Sequence, residues 1–172
     1  MLDWSYYPKT DPLPDFLNDP IKIFENNFPI LDSSKDNAKN VRSSDDVLKL
    51  VTREFQDLDY EIETGKKRHE KVRVPVLYSH RGLVSQAFEV DGWHKGKKIV
   101  LEVESGRAVV NHQFLKDIFE ASVMVDVDFL IIAVRQIYKG TKDYKKITDW
   151  LDTLFITNRI KLSLKGILLI GY

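Results

Sequence analysis

Two largely apolar runs, "VDFLIIAV" at residues 127–134 and "KGILLIGY" at residues 165–172, restrict this chain more than any other feature. Both have the length of a strand rather than of a membrane span, and a strand apolar on both sides must be covered on both sides. The spacing in "DYKKITDWLDTLF", which lies between them, predicts an amphipathic helix. Upstream, "SSDDVLKLVTREFQDLDY" predicts another. Its start is marked by Ser44 as a cap and by Asp45 and Asp46 at the positive helix end; Val47, Leu48, Val51, Phe55 and Leu58 form its apolar stripe. "KVRVPVLYS" and "QAFEVDGW" alternate as strands do, with Pro75 marking an edge or an early end. "HKGK" then turns the chain into "KIVLEVE" as a hairpin, and helical spacing follows from Ala108 to Met124. The order of helix, three strands, helix, strand, helix, strand predicts an α/β (α+β) fold, a central mixed β-sheet flanked by helices.

At 172 residues, 43% of them hydrophobic, the chain suits a single domain over 1–172 with a substantial core. Residues 1–40 hold five of the six prolines and read as an arm packed on the core or extending from it, with a short helical turn near Ile21–Phe24. Lys and Arg balance Asp and Glu at 26 each, so a nucleic-acid partner has to be met by a local patch. The absence of cysteine excludes disulfides and thiolate zinc sites. With no signal peptide and no span, the expectation is a cytoplasmic protein with no membrane partner.

The strand "IVLEVESGR" raises a chemical question, because Glu102 and Glu104 share the side opposite Ile99, Leu101 and Val103. Whether Asp91 joins them depends on the hairpin loop. A two-residue loop places Asp91 opposite Val100, a four-residue loop places it opposite Glu102, and both keep the three acids on one face; a three-residue loop reverses it. Three gathered carboxylates repel one another unless a cation lies between them, and an all-oxygen set selects a hard divalent ion, Mg²⁺ above all, with Mn²⁺ as a substitute. Such an ion suits phosphodiester hydrolysis. The alternative for this face is plain solvation. Glu54, at the edge of the first helix's stripe, is an additional acid candidate, and Glu70 is another of the same type. The segment "GKKRHEKVR" concentrates Lys66, Lys67, Arg68, His69, Lys71 and Arg73 in an otherwise neutral chain and suits a DNA backbone, as does Arg81 in "YSHRG". His94 and His112 have no spacing that points to zinc or to a catalytic triad.

"VDGWHKGKKIVLEVESGR", followed by "AVVNHQFLKDIFEAS" and "VDFLIIAV", resembles the PD-(D/E)XK nuclease superfamily, in the BglII/BstYI/BamHI-like branch of type II restriction endonucleases. The resemblance runs over roughly residues 44 to 135. It implies a restriction-endonuclease-like core and a metal site made by Asp91, Glu102 and the backbone carbonyl of Val103. Glu104, standing where most members of the superfamily carry Lys, would hold or deprotonate the attacking water or bind a second ion. Arg107 would hold the scissile phosphate. The implied protein is a Mg²⁺-dependent endonuclease of double-stranded DNA, acting as a homodimer without an organic cofactor. The rival readings are a non-catalytic DNA-binding or assembly module and a nuclease for RNA or single strands.

Overall fold

The computed structural model describes residues 1–34, 42–106 and 108–172. In chain order the elements are β1 (Asp3–Tyr7), α1 (Asn18–Leu31), α2 (Ser44–Gln56), β2 (Glu61–Ile62), β3 (Val72–Tyr78), β4 (Val84–Val90), β5 (Gly92–His94), β6 (Ile99–Glu104), α3 (Gln113–Val123), β7 (Phe129–Val134), α4 (Asp143–Thr157) and β8 (Gly166–Gly171). Six strands form one mixed sheet in the order β1-β8-β7-β6-β5-β2, while β3 and β4 make a separate two-stranded ribbon. The pairs β6–β7 and β7–β8 are parallel, and the outer pairs are antiparallel. The two apolar runs are thus neighbouring central strands, as their two-sided burial demands.

Alternation divides β6 between two cores. Ile99, Leu101 and Val103 point to one side, where Ile21 and Phe24 of α1 and Val47, Val51 and Phe55 of α2 cover them. Val100 points to the other, where Phe114 and Ile118 of α3 and Ile147 and Leu151 of α4 pack. Glu102 and Glu104 share that second side. The ribbon belongs to it too: Val72 and Val74 join the same cluster, and the Val125 N–H donates to the Pro75 carbonyl at 2.8 Å.

Three expectations need revision. Residues 1–34 are more than an arm, since β1 pairs with residues 167–171 of β8 at the sheet edge and α1 runs for 14 residues; residues 35–40 of the expected arm lie outside the described residues. Prolines and aromatics hide this strand from a local reading; its partner stands at the far end of the chain, and only that pairing makes it a strand. Helix α2 is capped by Ser43 rather than Ser44: the Ser43 side chain accepts from the Asp46 N–H, and Asp46 reaches back to the Ser43 backbone. Helix α3 starts at Gln113, because His112 takes a left-handed conformation (φ 51°) that ends the turn beginning at Ala108. Pro75 does mark an edge, as expected, since β3 pairs only with β4 in a two-stranded ribbon; the strand runs on to Tyr78 through a register shift beyond Pro75.

Candidate active site at the end of a buried strand

The hairpin loop has four residues. His94 faces Ile99 and Gly92 faces Leu101, so continuing the ladder sets Asp91 directly across from Glu102. At Asp91 the chain passes from the ribbon strand β4 into the main-sheet strand β5, and the β5–β6 pairing does not extend to it. The side chain reaches β6 instead: Asp91 Oδ2 accepts the Val103 N–H at 2.7 Å. This bond anchors the carboxylate between the two strands, beside Glu102.

On the far side of Asp91 stands Glu63, whose N–H donates to the Asp91 carbonyl at 2.8 Å. Its carboxylate holds Lys71 at 2.7 Å, and Lys71 also lies 3.9 Å from Glu89. Lys71 therefore belongs with the acids, where the hydrogen bond to Glu63 above all raises its pKa against the opposing effect of burial. Burial lifts Asp91 to about 6, with the Val103 hydrogen bond pulling down and the charge of Glu63 pushing up. Glu102 is driven well above the usual carboxylate range by burial first, then by Asp91, Asp117 and Glu104. The carboxylates feel one another strongly.

Asp117 is the residue the local reading misses. Helix α3 buries Phe114, Ile118 and Ala121, and Asp117 lies within that stripe, 4% exposed. Burial raises its carboxyl to about 8, followed by Glu104, against the pull of Lys116 and with further pushes from Asp91 and Glu120. An acid at i+3 from Phe114 and i−4 from Ala121 was the available signal, legible once the stripe is drawn.

The other expected residues fall into place as follows. Glu54 does not join the cluster: it accepts from Asn27 Nδ2 at 2.6 Å, on a helix that covers the opposite face of the sheet. It also lies nine residues beyond Asp45, roughly 13 Å along the helix from the end that approaches Asp91. Glu70 is engaged by the Lys67 N–H at 2.8 Å. Lys66, Lys67, Arg68 and His69 are exposed, with Lys66 3.5 Å from Asp45. Arg68 and Arg73 line a hollow on the ribbon with Ser85 and Gln86, and Arg81 sits at the ribbon's exposed tip with φ 66°. Arg107 lies outside the described residues. His94 is buried against the Tyr60 ring and accepts the Lys97 N–H through Nδ1 at 3.2 Å, a structural role in the hairpin loop.

The end of β6 is firmly held. Ser105 N–H donates to Ser44 Oγ at 2.9 Å, which ties the strand to the start of α2, and the Tyr172 hydroxyl donates to the Glu104 carbonyl at 3.3 Å. The donor chemistry suits a hard cation, since the acids are all oxygen ligands and Asp117 Oδ2 is buried without a hydrogen-bond partner. Among the described residues, no three acidic or histidine side chains already converge on one cation position. A cation placed there would require these side chains to rotate.

No protein-family model and no curated protein matches the sequence. Among solved structures, the crystal structure of restriction endonuclease BglII complexed with a DNA 16-mer is similar over 99% of this chain and 75% of its own, with a TM-score of 0.55 and 13% identity. At that identity the likeness is one of architecture. The chain has a restriction-endonuclease-like fold, a mixed sheet with helices on both faces.

Proposed function

We propose that the protein is a Mg²⁺-dependent endodeoxyribonuclease of restriction type that hydrolyses phosphodiester bonds of double-stranded DNA. The observation that carries this reading is the Asp91 carboxylate, seated on the Val103 N–H directly across the hairpin from Glu102. The fold's likeness to a nuclease solved on DNA supports it. Asp91 and Glu102 would hold the ion together with the Val103 carbonyl. A divalent cation bound there, Mg²⁺ or in its place Mn²⁺, supplies a Lewis acid for the phosphodiester and lowers the pKa of water.

The chain's own groups do the rest. Glu104, two residues beyond Glu102 on the same face, holds the attacking water and takes its proton. The water attacks phosphorus directly, with no covalent enzyme intermediate, as the bond from phosphorus to one sugar oxygen breaks and that departing oxygen takes a proton from solvent. Lys66, Lys67, Arg68, His69 and Arg81 would meet the DNA backbone, for which their exposure and their place on and beside the ribbon are suitable. Arg107 is proposed for the scissile phosphate. Cutting both strands requires two copies of the site, hence a two-fold homodimer. Large apolar side chains exposed on α3 and α4, Phe119 at 63% and Trp150 at 51%, are compatible with such an interface.

The test is incubation with plasmid DNA with and without Mg²⁺, followed by sequencing of the ends. Discrete ends that disappear in Asp91→Ala and Glu102→Ala are expected. Cleavage unaffected by either substitution refutes the site, and metal-independent retention of DNA without cleavage marks a binding module instead. Preference for RNA or single strands in a parallel assay would reassign the substrate.

A further inference from the structure

We propose that Asp117, supplied by α3 rather than by the strands, is a further carboxylate ligand of the divalent cation, closing the site from the helix side over Glu102 and Glu104. This rests on the metal-site reading above. Asp117 occupies a core position of its helix, flanked by Phe114, Ile118 and Ala121, where an apolar residue would pack without cost. Instead there is a 4% exposed carboxyl whose Oδ2 has no hydrogen-bond partner. The adjacent cation does not resolve this, because Lys116 reaches Glu120 at 3.3 Å.

A buried carboxyl can lose its charge to a proton or have it balanced by a cation. A proton removes the charge but adds a donor that also needs an acceptor, and Oδ2 makes no hydrogen bond. A divalent cation satisfies charge and lone pairs together. The direction of the site agrees. The charge that acts most on Asp117 is that of Glu104, and Asp117 is in turn second only to Asp91 among the charges acting on Glu102. The helix acid and the strand acids thus face one space, the side of the sheet where Phe114 and Ile118 pack beside Val100.

Mn²⁺ titration of the metal-stripped full chain without DNA, followed by electron paramagnetic resonance of the free ion, tests this without recourse to cleavage. The wild-type chain should bind, and Asp117→Asn should bind roughly tenfold or more weakly, with unchanged circular dichroism. Asp117→Ser, which also removes the charge, should show the same loss and guards against a packing artefact of the amide. Wild-type affinity in both variants, alongside lost binding in Asp91→Asn and Glu102→Gln, overturns the role of Asp117 and leaves the metal site standing. Absence of Mn²⁺ binding to the wild-type chain overturns both.

Discussion

Replacing Asp117 by Asn should change how stability depends on pH in the absence of metal. The Asp117 carboxyl is raised from 3.8 to about 8, chiefly by burial and then by the Glu104 charge. Between those values the folded chain keeps a proton that the unfolded chain has released. Stability from this group is therefore complete below the unfolded pKa and is lost as pH rises through the folded one. Each pH unit costs about 1.4 kcal/mol, so three units from pH 5 to pH 8 set a ceiling of ~4 kcal/mol. Water entry and rotation of Lys116 away from Glu120 reduce this to about 2 kcal/mol. For a chain of this length that is a relative fall in Tm of roughly 6 °C. Asparagine has nearly the same shape and nothing to ionise. Thermal melts of both proteins in chelator at pH 5, 6, 7 and 8 should diverge steadily, the wild type losing ground to Asp117→Asn as pH rises. A saturating divalent ion, at a hundred times its Kd, should return about 2.7 kcal/mol to the wild type. Parallel pH profiles in chelator would refute the reasoning, because a carboxyl with an ordinary pKa gives no divergence above pH 5.

Asp91→Asn and Glu102→Gln should each lower Mg²⁺-dependent cleavage by about 10³-fold or more while leaving DNA retention in a gel-shift assay intact, since several kcal/mol of transition-state stabilisation go with the ion. Ser43→Ala removes the reciprocal cap of α2 and should cost about 1 kcal/mol in urea denaturation. Alanine at Arg68 or Arg81 should weaken binding to all duplexes alike and flatten the slope of log K against log salt by about 0.9 for each phosphate left without its cation; an unchanged slope would remove that residue from the interface. Gly106→Ala should destabilise by about 1–3 kcal/mol, read by thermal melt: φ is +111° there and a Cβ would strike the Tyr138 ring.

The amino-acid order alone determined which side each strand residue faces. Period-two alternation sets Glu102 and Glu104 together and away from Leu101 and Val103, and unbroken apolarity makes 129–134 and 166–171 central strands, wherever these segments pair. Tertiary structure decided everything that depends on one segment meeting another. The four-residue hairpin loop brought Asp91 across from Glu102, when a loop one residue shorter would have turned it away. The packing of α2 on the opposite face took Glu54 out of reach, and the crossover through α3 brought Asp117 in. Residues 3–7 became a strand only because β8 offered an open edge. Side-chain direction is a property of local backbone geometry, whereas proximity between distant segments is a property of how their buried faces are matched, and a linear pattern carries the first far more completely than the second.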